Sequence, residues 1–173
     1  MFQDLIQEKN KSMIAAALIY MCDKLKITKE EQELITYYEA KVLVGGASGT
    51  CAGIYLKNKL ERIDIKVITH ASVIGMIDVL AHELVHAKQH LRGEFTFEKV
   101  DTPIFFGLFT IKLLTKFHKG QNLSKVPYYD RFCEQEAHHL AHILTTGFCK
   151  VIADAQAKTD SINNQEEILV CHI

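Results

Sequence analysis

The chain has 173 residues, 48% hydrophobic and 24% charged, with a net charge of -1. That size fits a single domain with its own core, and the composition excludes collagen-like, disordered and low-complexity classes. The balanced charge gives no sign of nucleic acid or an anionic membrane as partner.

Residues 1–38 are expected to form two N-terminal helices, the second opened by a Thr28…Glu31 capping box and running to about Tyr38. The apolar run 13–22 is too short to span a bilayer. From about 41 to 68 the pattern turns to short strands: Val42–Val44, then Thr50–Leu56 after a glycine-rich bend, then Arg62–Ile68. In the last, Ile63, Ile65 and Val67 alternate with Arg62, Asp64 and Lys66, as in a sheet with one wet face. Ser72–Leu91 is expected to be a helix stopped by Gly93. Phe95–Val100 is a strand or an irregular crossing. The apolar segment Ile104–Phe117 reads as a buried helix, with a hydrophobic lid or pocket wall, or membrane association through a small basic face of Lys112 and Lys116, as the other possibilities. Tyr128 to about Ala157 reads as one long helix, leaving 158–173 as a C-terminal tail of a single domain spanning 1–157. Five cysteines, odd in number and widely spaced, favour a reducing, cytoplasmic location over a disulfide framework.

Six of the nine histidines fall in two clusters. The first is His82-Glu83-Leu84-Val85-His86. Histidines at i and i+4 project from one helical face, so both imidazoles reach a single Zn²⁺, and the intervening Glu83 can hold and deprotonate a water without being a ligand. His90 extends the row, but three such residues span too much axis for one ion, so it is assigned to packing or to support of the ligand residues. The second cluster is Cys133-Glu134-Gln135-Glu136-Ala137-His138-His139, followed by His142. A helical wheel puts Glu136 on the apolar face with Phe132, Cys133, Leu140 and Ile143. Glu136 is therefore expected to be the third metal ligand, with His139 as an alternative. Glu134, His138 and His142 fall to a solvated face. Tyr128 and Tyr129 precede this helix as packing or capping groups, or as groups polarising a substrate carbonyl.

His82-Glu83-x-x-His86 on one helix with Glu136-Ala137 on a later one resembles the gluzincin branch of the zincin metallopeptidases, and the compact size is similar to minimal SprT-like domains. The resemblance covers about residues 40–150. It implies an α+β fold with a short sheet before the motif helix and a second long ligand-bearing helix. It also implies a zinc peptidase with His82, His86 and Glu136 as ligands, Glu83 as general base, and a protein or peptide as substrate. The acidic residue that such enzymes carry shortly after the ligand glutamate has no counterpart, because His138 and His139 stand there. The rival expectation is a metal-binding regulatory protein of the same shape with little hydrolysis.

Overall fold

A computed structural model describes residues 2–57, 59–69, 72–104 and 109–170, with side-chain environments for 10–100 and 114–161 within those ranges. The architecture is mixed α+β. Helix α1 spans Phe2–Lys24 and is followed by one short turn of helix, α2 (Lys29–Gln32). The expected capping box is present: the Thr28 hydroxyl accepts from the Glu31 amide at 3.2 Å and the Glu31 carboxylate accepts from the Thr28 amide at 2.8 Å. The chain leaves α2 earlier than expected, because β1 (Ile35–Ala40) pairs in parallel with β3 (Lys59–Ile68). Tertiary pairing with a central strand overrides the weak local helical pattern there.

Strand β2 (Gly49–Leu56) pairs antiparallel with β3, giving the order β1-β3-β2 with β2 at one edge. Val42–Val44 is not a strand. It runs into a tight 3-10 turn over Val44–Gly46, where Val44 is 98% exposed. The alternation in β3 is as expected: Ile63, Ile65 and Val67 are fully buried. Helix α3 (Val73–Leu91) starts at Ser72, whose hydroxyl accepts from the Gly75 amide, and crosses the sheet on its buried side.

The segment expected to be a buried helix is extended instead. Strands β4 (Phe95–Ile104) and β5 (Phe109–His118) form a long antiparallel hairpin, from Phe95↔His118 to Ile104↔Phe109, and the short β6 (Gln121–Asn122) adds to it. Residues 105–108 lie outside the described residues. The segment is rich in aromatic and β-branched residues, and period alone does not separate a strand from a buried helix in a continuous apolar run. Helix α4 (Phe132–Val170) extends well past the expected end near Ala157, so the expected tail is helical through Val170.

The core lies between the sheet and the three long helices. Ala17 and Met21 of α1, Ile77, Leu80 and Leu84 of α3, and Ala137, Ala141, Leu144 and Phe148 of α4 form one cluster with the inward residues of β3. Helices α3 and α4 pack directly against each other, with the small residues Ala81 of the first and Ala137 and Ala141 of the second all buried. Small residues let two helices approach closely, and this approach sets the geometry of the site. No described helix is long and apolar enough to cross a membrane.

Candidate metal centre

His82 and His86 project from one face of α3, as their spacing requires, and their rings lie 4.8 Å apart. The two Nε2 atoms are separated by 3.2 Å. The carboxylate facing them belongs to Glu134, from the first turn of α4, and not to Glu136. Glu134 Oε2 is 3.3 Å from His82 Nε2 and 3.2 Å from His86 Nε2. Three lone-pair atoms therefore converge with mutual separations of 3.2–3.3 Å. Bonds of about 2.0–2.1 Å in a tetrahedral arrangement imply ligand–ligand edges of about 3.3–3.4 Å. The side chains are thus spaced as three corners of a tetrahedron around an ion of zinc's size.

The packing of α4 places Glu136, the expected ligand, away from the two histidines. Phe132 and Ile143, expected to point inward, are 54% and 52% exposed, whereas Cys133, Glu134, Ala137, Ala141 and Leu144 are buried. Because alanines and not the larger apolar residues face α3, the buried stripe is rotated about the helix axis, and Glu134 turns to the histidines. Glu136 accepts from Lys88 Nζ at 3.1 Å, Gln89 Nε2 at 3.2 Å and Lys119 Nζ at 3.4 Å.

Those contacts give Glu136 a different task. Gln89 is fully buried, and its Nε2 donates to Cys133 O and to Glu136, so its Oε1 must face His86. His86 Nδ1–H then donates to Gln89 Oε1 at 2.8 Å. This leaves Nε2 facing the site, where it donates to Glu134 when protonated and offers its lone pair to an ion that takes the proton's place, the usual outer support of a metal-binding imidazole. Nothing in the sequence separated Gln89 from a packing residue; its position three residues after His86 was the available signal.

The electrostatics agree with this arrangement. For Glu134, burial opposes ionisation, but hydrogen bonds from His82 and His86, with Tyr128 beside them, outweigh it and hold the carboxylate well below its ordinary range. Burial opposes protonation of His86, but the bond to Glu134 outweighs it and raises its pKa. The charges on the two groups thus sustain each other. Burial pushes the Glu83 carboxyl up, while His86 and His82 pull it back.

Glu83 is 6% exposed and lies under β2. A Cβ on Gly49 would stand 2.5 Å from Val79 Cγ1 and 2.7 Å from Glu83 Oε1, so only glycine lets the strand pass here. The centre opens into a cleft of about 1000 Å³, bounded by Gly45 and Cys51 on one side and by Tyr128, Arg131 and His138 on the other. His138 is surface-exposed, as expected, yet its ring lies 4.6 Å from that of His82 and faces this cleft, with Tyr129 stacked on it. His139 is exposed and His90 is buried outside the ligand set.

Glu94, His118 and Glu136 form a second group of potential donor atoms. Lys119 pairs with both of its carboxylates and Lys88 with one, so ammonium groups already neutralise it. Comparison with protein-family models, with curated proteins and with solved structures finds no match for this chain.

Proposed function

We propose that the chain is a zinc-dependent peptidase of zincin-like architecture, with His82, His86 and Glu134 as metal ligands and Glu83 as general base. The observation that carries this reading is the convergence of three lone-pair atoms at 3.2–3.3 Å beside a buried, non-ligating glutamate. With neither Nε2 protonated, the two imidazole nitrogens and the carboxylate oxygen repel one another at this distance unless a cation lies among them. A proton on His86 can serve in its absence; a divalent ion fits the full set. When bound, zinc supplies Lewis acidity that makes water a nucleophile near neutral pH and polarises a carbonyl.

The chain's own groups do the rest. The Glu83 carboxylate, adjacent to His82 and shielded by β2, accepts the proton that the attacking water gives up and delivers it to the departing amine nitrogen. Burial makes it a stronger base than a solvated glutamate. Gln89 and Glu136 keep the His86 ring oriented, and Tyr128 steadies Glu134. The open cleft admits an extended peptide. The described cysteines are all free thiols, which supports a reducing, cytoplasmic setting.

The test is metal content together with casein cleavage, with and without a chelator. One zinc per chain and chelator-sensitive cleavage are expected. Glu83→Gln should keep the zinc and lose at least about a hundredfold in rate, the lower range for removing a general base. Absence of zinc, or a Glu83→Gln variant as active as the parent, overturns the proposal. Zinc bound without any cleavage replaces it with the metal-binding regulatory reading.

A further inference from the structure

One end of the cleft is built differently from the rest. Lys116 reaches in from β5, its Nζ 3.8 Å from the centre of the Phe95 ring. Among the described residues no carboxylate lies within ion-pairing distance of it. Burial pushes its pKa down, and the nearby Cys133 and Cys51 thiols, held protonated by burial, give it no counter-charge, which leaves Glu134 as the nearby anion. A half-buried ammonium without a counter-ion is costly.

His90 lies at the same end and is 3% exposed. Its Nδ1 is 2.7 Å from the Tyr55 hydroxyl. A phenol is the better donor and an imidazole nitrogen the better acceptor, so Tyr55 donates to Nδ1 and the ring proton resides on Nε2. That Nε2–H is buried and has no hydrogen-bond partner, and an unsatisfied buried donor is rare. The approach of β2 that creates this floor depends on Gly53, where a Cβ would stand 2.5 Å from His90 Nδ1. His90 lies one turn beyond His86, about 6 Å along the helix axis. That is about the reach of a side chain flanking a carbonyl held at the metal centre.

We infer that Lys116 Nζ and His90 Nε2–H form a subsite for a carboxylate of the substrate, so that the protein selects peptides carrying an aspartate or glutamate next to the reacting bond. The inference rests on the peptidase reading and adds its substrate class. A carboxylate entering here supplies the missing counter-ion to Lys116 and the missing acceptor to His90 together. Arg131 also lines the cleft and adds a second positive charge near Lys116. The chemistry is shared by an acidic side chain and a peptide's terminal carboxylate.

The experiment measures binding by the zinc-treated full chain carrying Glu83→Gln, which holds peptide without turnover. The calorimetric probes are Ac-Ala-Ala-Glu-Ala-Ala-NH2, its Gln counterpart, and the Gln peptide with a free C-terminus. The Glu peptide should bind at least about tenfold more tightly than the Gln amide, as expected for a charge-assisted hydrogen bond in a partly buried site. Lys116→Met should erase that difference and Lys116→Arg should restore most of it. An equal gain for the free C-terminus, also lost in Lys116→Met, supports the subsite and names the terminal carboxylate as its occupant. Glu and Gln peptides binding within about twofold, or a Glu preference that survives Lys116→Met, overturns the inference. A Lys116-dependent preference in protein that retains no zinc leaves the subsite standing and removes the peptidase reading.

Discussion

Replacing Glu134 and Glu136 separately by alanine separates a ligand from its support. Glu134→Ala removes one of three converging donors and leaves His82 and His86 facing each other at 3.2 Å. Glu136→Ala leaves all three donors but frees Gln89, whose amide loses one of two acceptors, and through it the His86 ring. Loss of an outer support lowers metal affinity by about 10–100-fold, so Glu136→Ala should fall in that range. Loss of the ligand itself should cost more than about a hundredfold. In the metal-free protein, Glu134→Ala also deletes a charge-assisted bond to the partly buried His86, about 1.5–3 kcal/mol. For a domain of this size that lowers the thermal midpoint by about 3–12 °C. Zinc affinity would be read by competition with a chromophoric chelator, and the midpoint by calorimetry in EDTA. A larger affinity loss for Glu136→Ala than for Glu134→Ala would refute the ligand assignment and the rotation of α4 that underlies it.

Gly49→Ala should destabilise the protein by about 1–3 kcal/mol, the usual range for overpacking, and should reduce hydrolysis further by displacing Glu83. Unchanged stability in chemical denaturation would mean that β2 stands farther from α3 than the 2.5 Å Cβ approach implies. His90 is held near a pKa of about 3 by burial, then by Lys116 and His86, against an ordinary value of 6.5. The unfolded chain therefore takes up this proton first. The stability from neutral His90 is complete above pH 6.5 and is lost as the pH falls toward 3, with a slope of at most about 1.4 kcal/mol per pH unit. Denaturation midpoints of the parent should fall more steeply between pH 6 and 4 than those of His90→Leu; parallel curves would contradict a neutral, buried imidazole.

The parts of the fold written in local pattern were legible. The alternation in β3 and the His82/His86 spacing follow from strand and helix periods alone. The Thr28/Glu31 box and the Ser72 start of α3 are local capping chemistry. Three things depended on partners far along the chain. Strand β1 exists because β3 offers a parallel edge 28 residues later, from Ile35 to Ile63. The hairpin at 95–118 is continuous in hydrophobicity, so its strand character came from aromatic and β-branched content and not from period. The choice between Glu134 and Glu136 turned on which face of α4 meets α3. A wheel ranks faces by apolar size, whereas this interface selects for close approach, and its alanines carry little weight in such a ranking. The departure noted in the sequence, no acid after the expected ligand glutamate, has a simple origin in this geometry. If Glu134 is the ligand, as proposed, it stands two positions earlier, and Glu136 takes the place of that acid.

His86 and Glu134 come together although they lie 48 positions apart in the chain. Everything between them is a loop closed by the two helices, and the β4–β5 hairpin with Lys116 lies inside it. Loop-closure entropy rises slowly with length, by about 0.6 kcal/mol per doubling. Changes of length or sequence in that insert therefore cost the closure little, provided its two ends keep their places. On the proposed reading, reactivity would sit on the helical frame and discrimination on an exchangeable arm, so a lineage of such proteins could acquire new preferences by altering the arm while the bond-breaking apparatus stays as it is.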